Sequence, residues 1–199
     1  MEEVQFLSHS IGAEMQTFFQ KQAEQKIQME GWAKQNRNVD VKVANFVQCW
    51  TTEEAFKQIL ISKGIQFKNR GLYFGDAAGA GADFVVRIDG EDVSVGLRSI
   101  SSSSLNDWKS VAYPDDRFRD EAKLDEGEES HIADYHVVCH NDNGNVRFFG
   151  IISKHNLMTQ LEISPRLHSR KNQEYFRVIP LEHFKYDTLV SLLAKMDRV

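Results

Sequence analysis

One run constrains this chain more than any other: ADFVVRI-DG-EDVSVGLRSI, residues 82–100. Two segments rich in β-branched residues flank Asp89 and Gly90, and both turn residues tolerate positive φ. The run predicts a tight antiparallel hairpin, and a lone hairpin needs further strands or a helix to be stable. Its surroundings offer them. IQFKNRGLYF (65–74) reads as a strand, followed by the small-residue stretch GDAAGAGA. DYHVVCH (134–140) and VRFFGIIS (146–153) read as a second hairpin across NDNGN, and YFRVIP (175–180) as a further strand.

Helical spacing frames these strands. Val4, Leu7, Ile11, Met15, Phe18 and Phe19 recur every three to four residues within residues 2–36, an N-terminal amphipathic helix. Such a stripe docks on the core or on a second copy of the chain, and a homodimer through this helix is one of these two readings. NRNVD (36–40) reads as the break after it. A second helix is expected from Thr51, where Glu54 completes a capping box, to Gly64, with Ala55, Phe56, Ile59 and Leu60 buried. Residues 105–130 read as a turn and then a short helix or loop, and 154–161 as another short helix. Asp187 reads as the cap of a closing helix bearing Leu189, Leu192, Leu193 and Met196. The order predicts an α/β fold, a mixed central sheet flanked by helices, with residues 1–40 a helical segment and 41–199 the α/β domain.

Composition narrows the function classes. Of 199 residues, 41% are hydrophobic, enough for a packed core. The net charge of −5 argues against a protein that coats nucleic acid nonspecifically, while leaving room for a locally basic cleft. Arg166, His168, Arg170 and Lys171 form the densest basic run and read as a solvated loop ahead of a phosphate contact. No apolar run reaches the roughly 18–20 residues of a membrane span, and MEEVQFLSHS lacks the pattern of a signal peptide, so a cytoplasmic protein is expected. Cys49 and Cys139 read as two buried reduced thiols. His131, His136 and His140 lack the spacing of a zinc site. No G-x-S-x-G elbow or GK[ST] loop is present.

The segments TEEAFKQIL from Thr52, Lys63-Gly-Ile, Gly81-Ala-Asp-Phe-Val-Val, Asp89-Gly and Val93-Ser-Val-Gly-Leu-Arg-Ser together resemble the core of the PD-(D/E)xK nucleases. Ala133-Asp-Tyr-His-Val-Val and Phe149-Gly-Ile-Ile resemble the paired strands that follow the catalytic hairpin. The resemblance spans roughly residues 51–155 and rests on the order of elements more than on a sharp motif. It implies a restriction-endonuclease-like fold and Mg²⁺-dependent hydrolysis of DNA, with Asp83 and Glu54 as metal ligands. Glu53 is the alternative helix acid. Arg98 stands at the family's Lys and Gly96 at its second carboxylate. Arg98 suits a phosphate but cannot serve as a general base. Asp92 is about 13 Å from Gly96 along the strand, too far to replace the missing acid. Asp76, Glu54, Asp115, Asp116 and Glu121 are the candidates for a relocated one. The sequence thus leaves an enzyme open beside a catalytically inactive relative that acts as a nucleic-acid-binding or assembly module.

Pro114-Asp115 and Glu121-Ala122-Lys123 also spell the family motif. Too few residues separate the halves for two strands and a turn, so the segment reads as a solvated charge run.

Overall fold

The structure, a computed structural model, describes residues 5–28, 38–69, 82–124, 130, 132–169 and 174–199. Its elements run β1 (Leu7–Ser10), α1 (Ala13–Ile27), α2 (Val39–Ser62), β2 (Phe67–Asn69), β3 (Phe84–Ile88), β4 (Glu91–Ser99), β5 (Ser110–Pro114), α3 (Asp115–Glu121), β6 (Tyr135–Asp142), β7 (Asn145–Ser153), α4 (Lys154–Ile163), β8 (Leu167–Ser169), β9 (Glu174–Pro180) and α5 (Tyr186–Lys195). A six-stranded mixed sheet has the order β1-β7-β6-β4-β3-β2, and a three-stranded sheet has the order β5-β9-β8. The architecture is α/β, a mixed sheet flanked by helices.

The expected hairpin is β3–β4. Ile88 pairs with Glu91 across Asp89 and Gly90, whose φ values are 53° and 84°. The second hairpin, β6–β7, repeats the device, pairing Asp142 with Asn145 across Asn143 and Gly144. Between the hairpins, β4 and β6 run parallel, with Gly96 beside His136 and Arg98 beside Val138. A parallel pair needs a crossover connection. That connection contains β5 and α3.

Alternation along β4 divides two cores. Val93, Val95 and Leu97 join a cluster with Phe19 of α1, Trp50, Phe56 and Leu60 of α2, and Leu189 and Leu193 of α5. The neighbouring residues point the other way, where Ile100 joins Val111, Tyr113, Val138, Leu157, Leu161 and Ile179. One face of the large sheet therefore carries α1, α2 and α5. The other carries α4 and the small sheet.

The structure corrects several expectations. Leu7–Ser10 is not helical but pairs with β7, because a short strand there covers the sheet edge. The helix starts only at Ala13, and Val4 lies outside the described residues. The second helix begins twelve residues before Thr51. Asn38 caps it, its side chain accepting from the Asp40 amide at 2.8 Å. Burial of Val43 and Trp50 outweighs the capping-box signal, and Thr51 lies buried within the helix. Gly64 does take the left-handed conformation past its end. YFRVIP extends the small sheet rather than the large one, and SVAYP (110–114) is a strand. Lys185, not Asp187, occupies the N-cap of α5. Cys139 is buried but Cys49 is exposed. The expected strand 65–74 is described only to Asn69, where β2 ends. Among the described residues, no helix is long and apolar enough to cross a membrane.

Candidate functional site

Asp83 sits just before β3. Its amide donates to the Val95 carbonyl at 3.1 Å, and its carboxylate Oδ2 accepts from the Leu97 amide at 2.6 Å. This double tie locks the β3–β4 register at the end of the ladder. Burial first, then the neighbouring Cys49 and the Asp83 charge, raise the Cys139 thiol pKa well above the usual value.

Arg98 belongs to the face opposite α2. Its neighbour Ser99 marks the α2 face, since Gln48 of α2 donates to Ser99 Oγ at 2.8 Å. Arg98 instead places its guanidinium carbon 4.5 Å from the centre of the Tyr113 ring. That geometry is a cation over a π face, and the phenol oxygen finds no hydrogen-bond partner among the described residues. Burial pushes the Tyr113 pKa up to about 12, against the pull of Arg98.

Gly96 shares the Arg98 face, two residues earlier. A Cβ built there would stand 3.4 Å from His136 Nδ1 and from the Ala133 Cβ. A side chain added at 96 would therefore start in van der Waals contact with the imidazole. His136 is buried, and its ring meets Tyr113 edge-on at 5.7 Å. Burial first, and then the Arg98 charge, hold its pKa down to about 3. Arg98, Tyr113 and His136 enclose, with Pro114, Phe118 and Leu161, a cavity of about 20 Å³. That is room for one water-sized group.

Glu54 lies on α2, across the sheet from Arg98. It is buried, with Lys57 Nζ 3.1 Å from Oε2 and Gln58 Nε2 donating to Oε1 at 2.6 Å. The three expected site residues are thus distributed: Asp83 at the strand end, Arg98 on one face, Glu54 on a helix of the other. Asp92 is exposed and paired with Lys68 at 2.9 Å; that hydrogen bond chiefly lowers its pKa. Asp76 lies outside the described residues.

Sequence reasoning missed Asp134. Its carboxylate accepts from the Ser94 amide at 2.8 Å and from Ser94 Oγ at 2.6 Å, two residues from Gly96 on the same face. The signal was present in the pairing of β4 with β6, which the sequence does not display. Among the described residues, no group of three His, Cys, Asp or Glu side chains is placed to hold a metal ion.

The segment read as a solvated charge run is instead partly internal. Solvent does not reach Asp115, whose carboxylate meets Arg177 Nε at 2.7 Å, Arg166 Nε at 2.7 Å and Arg119 Nε at 3.0 Å. Burial raises its pKa, but the three guanidiniums outweigh burial and hold it below the ordinary value. Arg177 also donates from Nη1 to the carbonyls of Leu161 and Ser164, both at 2.8 Å. Glu121 is held by Lys154 and by Ser130 Oγ. Arg166, expected on a solvated loop, pairs with Asp115. Arg170 and Lys171 lie outside the described residues.

Ser102 Oγ and His140 Nε2 stand 3.0 Å apart. On the other side of the ring, Arg147 Nη2 approaches His140 Nδ1 at 3.4 Å, where a Ser-His-Asp arrangement would place a carboxylate.

Comparison with protein-family models, with curated proteins and with solved structures finds no match to the chain.

Proposed function

We propose that this is a restriction-endonuclease-like domain that binds nucleic acid without hydrolysing it. The observation that carries the reading is the Arg98 face of β4, where His136 stands beside Gly96 and Arg98 lies over Tyr113. The family's second carboxylate and its lysine would occupy these two positions. The order helix, three antiparallel strands, crossover and parallel strand supports the fold assignment.

Mg²⁺ is implied by the resemblance, and the residues present do not make the family's ion site. Asp83 accepts a backbone amide, Glu54 is engaged by Lys57 and Gln58, and Gly96 offers no donor. Arginine is suited to a phosphate through its planar fork of donors. Homodimerisation through α1 belongs to the same reading, supported by Met15 and Phe18, 39% and 42% exposed.

Fluorescence anisotropy with labelled duplex and single-stranded oligonucleotides, beside a plasmid-nicking assay with Mg²⁺ or Mn²⁺, tests the proposal. Salt-sensitive binding with intact plasmid is expected. Nicking that Asp83→Ala abolishes would establish the hydrolase instead. Absence of binding to any DNA or RNA overturns the reading.

A further inference from the structure

The β8–β9 hairpin carries an aromatic and cationic tier that the Arg98 site does not use. His168 and Tyr175 are cross-strand partners, their ring centroids 4.8 Å apart. The Arg166 guanidinium carbon stands 3.7 Å from the centre of the Tyr175 ring. This tier is not core. Tyr175 is 47% exposed, and the Arg166 side chain is 42% exposed.

Beside the tier lies a local charge imbalance. Arg119, Arg166 and Arg177 converge on Asp115, leaving two positive charges uncompensated within the cluster. Arg177 is committed to backbone carbonyls beneath the sheet, so Arg119 and Arg166, each about half exposed, carry the surplus toward solvent. Asp116 and Asp120 on α3, Glu162 on α4 and Glu174 on β9 are exposed acids of the surrounding elements. Arg117 of α3 is an exposed cation among them. Within a chain of net charge −5, the Asp115 cluster itself carries a positive surplus.

A flat half-exposed ring, a guanidinium plane above it and adjoining surplus charge match a ligand with flat faces and a polyanionic backbone. In duplex DNA or RNA the base faces are stacked on one another, whereas a single strand offers them to aromatic rings and guanidinium planes. An acidic peptide would satisfy the charge and leave the ring unused. We infer that this surface binds single-stranded nucleic acid, with a base stacked at Tyr175 and His168 and phosphates at Arg119 and Arg166. The inference rests on the nucleic-acid reading above and names its substrate form.

The test uses the full chain and fluorescence anisotropy with oligo(dT), oligo(U) and a duplex of matched length. Single strands are expected to bind tighter than the duplex, the two arms deciding between DNA and RNA. Tyr175→Ala should weaken single-strand binding at least about fivefold, while Tyr175→Phe stays within about twofold, because stacking needs the ring and not the hydroxyl. Arg119→Gln should weaken binding and flatten its salt dependence. Thermal melts check that each variant folds, and Tyr175→Phe controls for structural loss. If the wild type binds nucleic acid but Tyr175→Ala binds equally well, the inference falls and the nucleic-acid reading stands. Preference for duplex, or displacement by polyglutamate as effective as by unlabelled oligonucleotide, also overturns the inference alone. Binding to none of the three ligands overturns both.

Discussion

Asp115 and Arg177 meet Oδ1 to Nε at 2.7 Å, joining the first turn of α3 to the central strand of the small sheet, with the carboxylate sealed from solvent. Two further guanidiniums share the same acid. Removing the anion would leave three cations facing one another.

Asp115→Asn is therefore expected to destabilise the fold by about 2–3 kcal/mol, the scale of charge-assisted hydrogen bonds rather than of a deeply buried pair, because Arg119 and Arg166 keep contact with water. The pKa of Asp115 is lower folded than unfolded. Its stabilisation is fully present above the ordinary carboxylate pKa and is lost as pH falls through the folded value. Urea titrations from about pH 5 downwards should show a flatter acid limb in Asp115→Asn than in the wild type.

His136 acts in the same direction on the proton, although it is held neutral where Asp115 is held charged. Its folded pKa of about 3 lies below the ordinary value of 6.5, so between those limits the unfolded chain binds the extra proton. Wild-type stability should decline as pH falls from 6.5 toward 3, a window set by the same two values. His136→Phe keeps a ring against Tyr113 and removes the titration. Thermal melts across the window should show a shallower decline in this variant.

Gly150→Ala should be costly despite its size. A Cβ on β7 at that position would stand 2.6 Å from the Phe184 carbonyl oxygen and 2.9 Å from the Lys185 carbonyl carbon. Backbone cannot swing aside as a side chain can, so the Phe184–Lys185 segment must move off β7. A loss of about 1–3 kcal/mol in chemical denaturation is expected.

Gly96→Glu with Arg98→Lys restores the family residues on paper. The new side chain would start in van der Waals contact with His136 and Ala133, and lysine lacks the planar cation that lies over Tyr113. The double variant should lose about 1–2 kcal/mol or more of stability, the stacked cation accounting for part. It should nick no plasmid in Mg²⁺. Metal-dependent nicking by a folded double variant would show that His136 yields the space.

What the sequence by itself determined was local. Asp89-Gly90 and Asn143-Gly144 specify both hairpins because positive φ restricts which residues can make such turns. Alternation in ADFVVRI and EDVSVGLRSI specifies which residues share a face. The helical stripe near the N-terminus misled at Leu7–Ser10, since four residues fit either period and only the open edge of β7 made them a strand. Thr51 and Glu54 spelled a helix start, yet burial of Trp50 and Val43 carried the helix through them. The candidate site was legible only in part, as the strand positions of Asp83, Gly96 and Arg98. Only the tertiary structure decided what stands against them. The parallel pairing of β4 with β6 brings His136 beside Gly96 and Asp134 to Ser94, across forty residues of chain. The crossover lays Tyr113 under Arg98 and buries Asp115 among arginines from three separate segments. Such contacts depend on long-range packing, and no local spacing encodes them.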